Sequence, residues 1–271
     1  MVLFLVSCMS PQGELDTGTP ASWSGLSVKG ESACAFDPLG DLTCWGPAAE
    51  YCTSLAVSEI AVGTHHTCGL DVDGRVHCGG NDSYSETVPP SVAMRQVVVG
   101  DYQSCGLDLL GEVHCWGWDR IATGLPPGPY SRLSLSSYQL CGLDLEGKIE
   151  CAGSLSTCGD GAPPAGQYVS MDQSSCHGCA LDKQGSVTCW NAEPDLVPPG
   201  TGWREIATGD GFTCALDDSA DVYCFGPAAP EPMIEHPIYE LDAGGQGLIC
   251  GLDDAGMICW GPGAADADMP Y

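Results

Sequence analysis

Short apolar runs recur along this chain at a steady interval, and none sustains a helical period. Stretches such as Val97-Val98-Val99 and Ile206-Ala207-Thr208 are β-branched or apolar, and in four copies the run leads to a glycine, Gly63, Gly100, Gly209 or Gly245, five residues before a cysteine. A second short strand, a tight turn and a third strand follow, as in CGLDLLGEVHCWG from Cys105, CALDKQGSVTCWN from Cys179 and CGLDVDGRVHCGG from Cys68. Runs of this length between glycines and turn residues read as strands. The leading cysteines are Cys34, Cys68, Cys105, Cys141, Cys179, Cys214 and Cys250, spaced 34 to 38 residues apart. Eleven residues before each stands a large side chain: Trp23, Val57, Met94, Tyr130, Tyr168, Trp203 and Tyr239. Proline pairs at Pro89-Pro90, Pro126-Pro127, Pro163-Pro164 and Pro198-Pro199 cannot lie inside a central strand, so they mark the crossovers between units. A unit this small cannot bury a core alone, so the copies stack. Seven units of three short strands predict an all-β, seven-bladed propeller.

The turn fixes the cysteine pairing. In Asp37-Pro38-Leu39-Gly40-Asp41 a type I turn opened by Asp37 leads into a left-handed Gly40. Counting outward, Phe36 faces Leu42, Ala35 faces Thr43 and Cys34 faces Cys44, close enough for a disulfide. The same count pairs Cys68 with Cys78, Cys105 with Cys115, Cys141 with Cys151, Cys179 with Cys189 and Cys214 with Cys224. The seventh hairpin is one residue shorter, and a two-residue loop at Asp254-Ala255 restores Cys250 opposite Cys259. Ala220 replaces the turn glycine of the sixth copy, which predicts a strained or altered turn.

The motif of a β-rich run, glycine, and Cys-Ala/Gly-Leu-Asp-x-x-Gly-x-Val-x-Cys-Trp-Gly resembles the regulator of chromosome condensation (RCC1) repeat family. The nearest branch is that of bacterial secreted short-repeat propellers of the β-lactamase inhibitor protein II type. The resemblance covers about residues 21 to 271 and implies three- or four-stranded blades with ligands held on loop faces. The Gly-Gln-Leu-Gly segment usual after the Trp-Gly pair is absent; Pro47-Ala48-Ala49-Glu50 and Pro227-Ala228-Ala229-Pro230 stand there instead. Those segments would carry recognition, so no partner transfers from a relative.

Charge narrows the partners. Eight basic residues against 36 acidic ones give a net charge of −28, the wrong sign for a nucleic-acid backbone. Eighteen cysteines in 271 residues predict a disulfide framework in an oxidising compartment. Cys158 and Cys176, outside the hairpins, could pair with each other, which leaves Cys52 unmatched. The N-terminus reads MVLFLVS before Cys8, and Leu5-Val6-Ser7-Cys8 looks like a bacterial lipobox whose cysteine would carry a lipid. Residues 1–20 are therefore expected to be a signal and flexible tether, and residues 21–271 the propeller. The expected location is extracytoplasmic, as a secreted protein or a lipoprotein of the outer membrane or cell surface. Membrane contact is expected only through the lipid.

Candidate chemistry is sparse. The turn aspartates Asp37, Asp71, Asp108, Asp144, Asp182, Asp217 and Asp253 recur in every copy, as turn capping requires. Asp71-Val72-Asp73-Gly74 lacks the rest of an EF-hand loop. His77 and His114 occupy equivalent places filled elsewhere by Thr43, Glu150, Thr188 and Tyr223, which fits a partly solvated strand face. No nucleophile elbow, zincin or phosphate-loop motif occurs. Trp45, Trp116, Trp190, Trp260 and Phe225 follow trailing cysteines with the repeat period and read as packing residues. Tyr51, Tyr84 and Trp118 fall between the repeats, and Trp118-Asp119-Arg120 joins an aromatic to both charge signs. Tyr51, Tyr84, Trp118 and Arg120 are thus the candidate binding residues.

The expected function is that of a monomeric, non-catalytic scaffold without cofactor or metal, binding a protein or surface ligand through one loop face. Its alternatives are an inhibitor of a secreted or periplasmic enzyme and a carbohydrate-active hydrolase. Two carboxylates converging in a deep axial pocket would mark the hydrolase. A loop face rich in aromatics would mark a binder.

Overall fold

The computed structural model of the chain describes residues 23–51, 56–118, 124–153, 161–231 and 237–266. They form seven three-stranded antiparallel sheets, each built from consecutive strands. Blade 3 sets the pattern, with inner strand Met94–Val99, middle strand Gln103–Asp108 and outer strand Val113–Gly117. The other inner strands are Gly25–Lys29, Glu59–Val62, Tyr130–Leu135, Tyr168–Gln173, Trp203–Gly209 and Glu240–Ala243. Each inner strand packs beside the next, and that of blade 7 returns against that of blade 1. The result is the expected seven-bladed propeller. The proline pairs lie outside the strands, in the connections that carry the chain to the next blade.

The hairpins carry the expected register. Phe36 faces Leu42, Ala35 faces Thr43 and Cys34 faces Cys44. The seven bridges Cys34–Cys44, Cys68–Cys78, Cys105–Cys115, Cys141–Cys151, Cys179–Cys189, Cys214–Cys224 and Cys250–Cys259 join Cα atoms 4.0 or 4.1 Å apart. Pairs in an antiparallel ladder alternate between hydrogen-bonded and closely spaced non-hydrogen-bonded sites. The Asp37 N–H donates to the Asp41 carbonyl at the turn, so counting three pairs inward puts the cysteines at a close site. In the seventh hairpin Asp253 faces Gly256 directly, and the shorter loop keeps Cys250 opposite Cys259. Cys176 is also disulfide-bonded. Its expected partner Cys158, together with Cys8 and Cys52, lies outside the described residues.

The first six turns also latch the next blade. The turn glycine carbonyl accepts the N–H of the residue that opens the following unit, as in Met94 to Gly74 at 2.7 Å and Tyr168 to Gly147 at 2.7 Å. At Gly74, φ is +78° and a Cβ would stand 2.5 Å from the Met94 carbonyl oxygen, so glycine serves both conformation and approach. Ala220 breaks this rule. It holds φ at +67°, and its latch to Ile238 lengthens to 3.2 Å. The turn is kept under strain, so Ala220→Gly is expected to raise stability by about 1 kcal/mol in chemical denaturation.

The core is divided among the blade interfaces. Seven apolar clusters are present among the described residues, one between each neighbouring pair of blades. Side chains alternate across a strand, so each leading cysteine faces the following blade and its flanking residues face the preceding one. Cys105 accordingly packs with Tyr130 and Leu133 of blade 4, while Leu140 of blade 4 reaches back into the same cluster. The residue after each leading cysteine is always glycine or alanine, because the blade's own large opening residue covers it. A Cβ on Gly142 would lie 2.5 Å from the Tyr130 ring. Trp45, Trp116, Trp190 and Trp260 are buried in these interfaces, as expected of packing residues.

The seventh unit departs from the expected positions. Ile238, with no exposed surface, takes the opening place expected for Tyr239, which is 41% exposed. The bend glycine is likewise Gly244, whose N–H donates to the Leu248 carbonyl as Gly100 does to Gln103. One additional residue in the bend before Leu248 shifts both positions back along the chain, so the count from Cys250 overshoots.

The ring closes without exchanging a strand. The Leu26 and Val28 N–H groups of blade 1 donate to Glu240 Oε1 (3.2 Å) and Asp242 Oδ2 (2.6 Å) of blade 7. The Gly245 N–H donates to the Gly30 carbonyl. Leu26, Val28 and Trp45 pack with Leu248, Leu252 and Met257, with Trp23 against the cluster.

Candidate binding face

The ring presents two loop surfaces and one axial channel. On the loop face, the bend of each blade sits beside the segment that leaves its outer strand. After Gly117 (φ +89°), the Trp118 N–H donates to the Tyr102 carbonyl at 2.8 Å; the Asn81 N–H donates likewise to His65. A Cβ on Gly117 would stand 2.6 Å from the Tyr102 oxygen, so the glycine permits this close crossing. Thr64 Oγ1 donates to Asp101 Oδ1 at 2.7 Å and joins the bends of blades 2 and 3.

These crossings gather four rings. His65 stacks on Tyr102 with centroids 4.9 Å apart. Tyr84, Tyr102 and Trp118 meet pairwise at 5.7, 6.0 and 6.1 Å. Tyr84 is 49% exposed and the other three are half-buried. The expected binding residues Tyr84 and Trp118 are therefore brought together. The Tyr51 side chain and all of Arg120 lie outside the described residues.

Tyr102 and His65 were missed by looking only between the repeats. They stand three residues before the leading cysteine, where blade 4 has the exposed Tyr138 and the remaining blades have Glu31, Cys176, Gly211 and Gly247. A position aromatic in three successive copies and variable elsewhere is the signal that could have found them.

The opposite face presents the hairpin tips. Leu39, Val72, Leu109, Leu110 and Leu145 are exposed there on blades 1 to 4. The turn aspartates cap these hairpins: Asp108 Oδ1 accepts the N–H groups of Leu110 and Glu112 at 2.8 and 2.9 Å. Asp108 Oδ2 takes His114 Nε2 at 3.0 Å, and Asp71 takes His77 at 3.0 Å. The histidine bond is the leading reason that both aspartates are held below their usual pKa. Asp108, Glu112 and His114 bring potential ligand atoms within 4.8 Å of one another. In blade 2 Arg75 replaces the glutamate and pairs with Asp73, so the grouping is not a shared feature of the two histidine hairpins.

The axial channel holds carboxylates over a cavity of about 270 Å³ lined in part by Glu59, Arg132, Asp172, Glu240 and Asp242. Each acid accepts a backbone N–H of the following blade. Glu59 takes Val97 at 2.8 Å, Asp172 takes Thr208 at 2.7 Å and Glu205 takes Leu241 at 3.1 Å. Burial pushes Glu59 and Glu205 up to about 7 and raises Glu240. Asp242 is raised well above the carboxylate range by burial and then by the charge of Asp172. Inner strands would otherwise expose N–H groups along the channel, and these acids satisfy them. Each of these carboxylates ties its blade to the next, and Asp172 and Asp242 lie close enough in the channel for their charges to interact.

No protein-family model matches the chain, and no curated relative matches it. Solved structures do resemble it. The ectodomain of the Physcomitrella patens receptor kinase CR4 is 25% identical, with a TM-score of 0.75, over 89% of this chain and 74% of that one. The CRINKLY WD40 ectodomain of the Arabidopsis thaliana receptor kinase ACR4 is 22% identical, with a TM-score of 0.70, over 93% and 98%. Yeast RCC1 (Prp20), solved with Kap60, is 16% identical, with a TM-score of 0.61, over 76% and 70%. The fold is that of the RCC1-like propellers.

Proposed function

We propose that this protein is an extracytoplasmic, non-catalytic RCC1-like propeller of the secreted short-repeat type, lipid-anchored at Cys8, that binds a protein ligand through its loop face. The observation that carries this reading is the assembly of His65, Tyr84, Tyr102 and Trp118 from separate segments into one accessible cluster. Burying four rings in the core of the ring would have stabilised it; leaving them at a loop face suits the aromatic anchors that dominate interface energetics. The seven disulfides fit an oxidising compartment. Two of the similar structures are receptor ectodomains and a third was solved with a protein partner, which supports a binding role. Inhibition of a secreted enzyme is one form that such binding would take.

The aromatic face is preferred to the hairpin face because exposed Leu and Val contribute less than Tyr and Trp at interfaces. The test compares Tyr102→Ala/Trp118→Ala with Leu39→Ser/Leu110→Ser for capture of the partner from the native host's exterior fraction. The ring variant is expected to stay folded, with a native circular dichroism spectrum, and to weaken binding more than tenfold, while the hairpin variant binds normally. Equal binding by the ring variant and wild type would refute the assignment of this face.

A further inference from the structure

The hairpin of blade 3 brings three potential metal ligands to one spot. Asp108, Glu112 and His114 each place a ligating atom within 4.8 Å of the other two. Asp108 Oδ2 and His114 Nε2 lie 3.0 Å apart. Two ligands at right angles round a first-row divalent ion, each about 2.1 Å from it, are about 3.0 Å apart, so this edge already has coordination length. The turn fixes the aspartate: its Oδ1 accepts the Leu110 and Glu112 N–H groups, which leaves Oδ2 as the ligating atom. Asp108 is buried, His114 half-buried and Glu112 exposed. Glu112 borders a cavity of about 450 Å³ walled by Leu110, Leu125 and Pro126, so its carboxylate has room to turn and water can reach the spot.

The neighbouring blades differ at this very spot. Four and six residues after the turn aspartate, blade 2 has Arg75 and His77, blade 3 has Glu112 and His114, and blade 4 has Lys148 and Glu150. Blades 2 and 4 hold a cation of their own there. Arg75 Nη1 stands 3.9 Å from Asp71 Oδ2, and Lys148 Nζ pairs with Glu150 Oε1. The Asp71–His77 pair has the same 3.0 Å spacing as Asp108–His114, so the residue between them is what sets blade 3 apart. There the basic residue gives way to glutamate, and two carboxylates meet an imidazole with no ammonium or guanidinium of the same hairpin to balance them. The other hairpins lack the third ligand; Thr43, Thr188, Tyr223 and Ile258 stand in its place. Among the described hairpins, blade 3 alone combines three ligands with the lack of an internal cation.

We propose that Asp108, Glu112 and His114 bind a zinc ion on the hairpin face. The donor set selects it: imidazole nitrogen suits zinc, whereas magnesium and calcium take oxygen ligands. The two carboxylates neutralise its charge. His114 ligates through Nε2 and carries its proton on Nδ1. Three protein ligands leave a position for water, as in open zinc sites. The site lies on the face opposite the four rings and does not depend on their role.

The full disulfide-bonded chain, without a histidine tag, is titrated with zinc by calorimetry, and the ring resonances of His114 report where the ion binds. One equivalent is expected at blade 3, held at least tenfold more tightly than magnesium or calcium. Glu112→Lys and His114→Thr install residues that blades 4 and 5 carry at the same places, as Lys148 and Thr188, so both variants should fold. Each should weaken the site at least tenfold. Arg75→Glu should add a second equivalent at blade 2, beside Asp71 and His77. Zinc uptake unchanged by Glu112→Lys or His114→Thr overturns the site, since the ion then sits elsewhere. Calcium or magnesium bound as tightly as zinc overturns the assignment of the metal. An Arg75→Glu chain that gains no second equivalent shows that this residue does not decide which hairpin takes the ion, and overturns the proposal too. Capture of the native partner by the loop face is read separately and is untouched by any of these results.

Discussion

Replacing Cys105 and Cys115 with alanine is expected to lower unfolding free energy by about 3 kcal/mol or more, and reducing all seven bridges in denaturant should leave a chain that does not refold. Each bridge spans a sequence separation of 9 or 10. Closing so short a loop restricts the unfolded chain by about 2.8 kcal/mol on the chain-entropy account. Seven such terms approach 19 kcal/mol as an upper bound, more than the roughly 5–15 kcal/mol that holds a domain folded. Deleting a bridge also empties part of an interface, since Cys105 is fully buried against blade 4. Closure of the ring adds a sharper expectation. In an open repeat array the end units are the weakest. Here blade 1 is tied to blade 7 by backbone, carboxylate and apolar contacts. The Cys34–Cys44 and Cys250–Cys259 bridges should therefore cost about as much to remove as Cys141–Cys151, measured by urea unfolding of the three double-alanine variants. A much smaller cost at the two ends would show that the closure contributes little. In the folded protein the leading sulfurs are shielded, so reductant without denaturant should act slowly.

The same bridges explain how much of the molecule was legible in sequence. Strand alternation, turn length and cysteine spacing are local quantities, and they sufficed for the hairpins, the blade count and the shortened seventh turn. The seventh opening residue was misplaced because a one-residue insertion in the bend cannot be seen when positions are counted from Cys250 alone. The binding cluster was half legible. Tyr84 and Trp118 stand out by lying off the repeat, but His65 and Tyr102 lie on it and were hidden by its regularity. The carboxylates of the channel could not be read at all. Glu59 and Val97, or Asp242 and Val28, meet only once seven blades are set round an axis.

Those carboxylates give the second large effect, a dependence of stability on pH that glutamine removes. Glu59 and Glu205 titrate near 7 in the folded ring because burial disfavours their charge, against the pull of the Val97 and Leu241 N–H groups. Arg132 and Arg95 also favour the charged form of Glu59; Arg204 and Arg132 do so for Glu205, which Glu240 opposes. In the unfolded chain both acids titrate near the ordinary glutamate value of 4.5. Between those limits the folded state binds more protons, so the contribution of each glutamate is full below about 4.5 and is lost as pH rises through 7. One pKa unit is about 1.4 kcal/mol, and with water in the channel each glutamate should account for about 1–2 kcal/mol across the window. His66 opposes them. Desolvation holds it down to about 4, so its contribution is present above about 6.5 and is lost as pH falls toward 4. His177, lowered by the same cause, acts in the same direction. The two sets flatten the wild-type profile, so a difference measurement is needed. Glutamine keeps a carbonyl for the neighbouring N–H and has no charge to desolvate. Glu59→Gln/Glu205→Gln should therefore match wild type at pH 4.5 and melt roughly 4–10 °C higher at pH 8, with the gap opening between those values. A gap that is already present at pH 4.5, or that runs the other way, would mean that the ring does not hold these acids against ionisation.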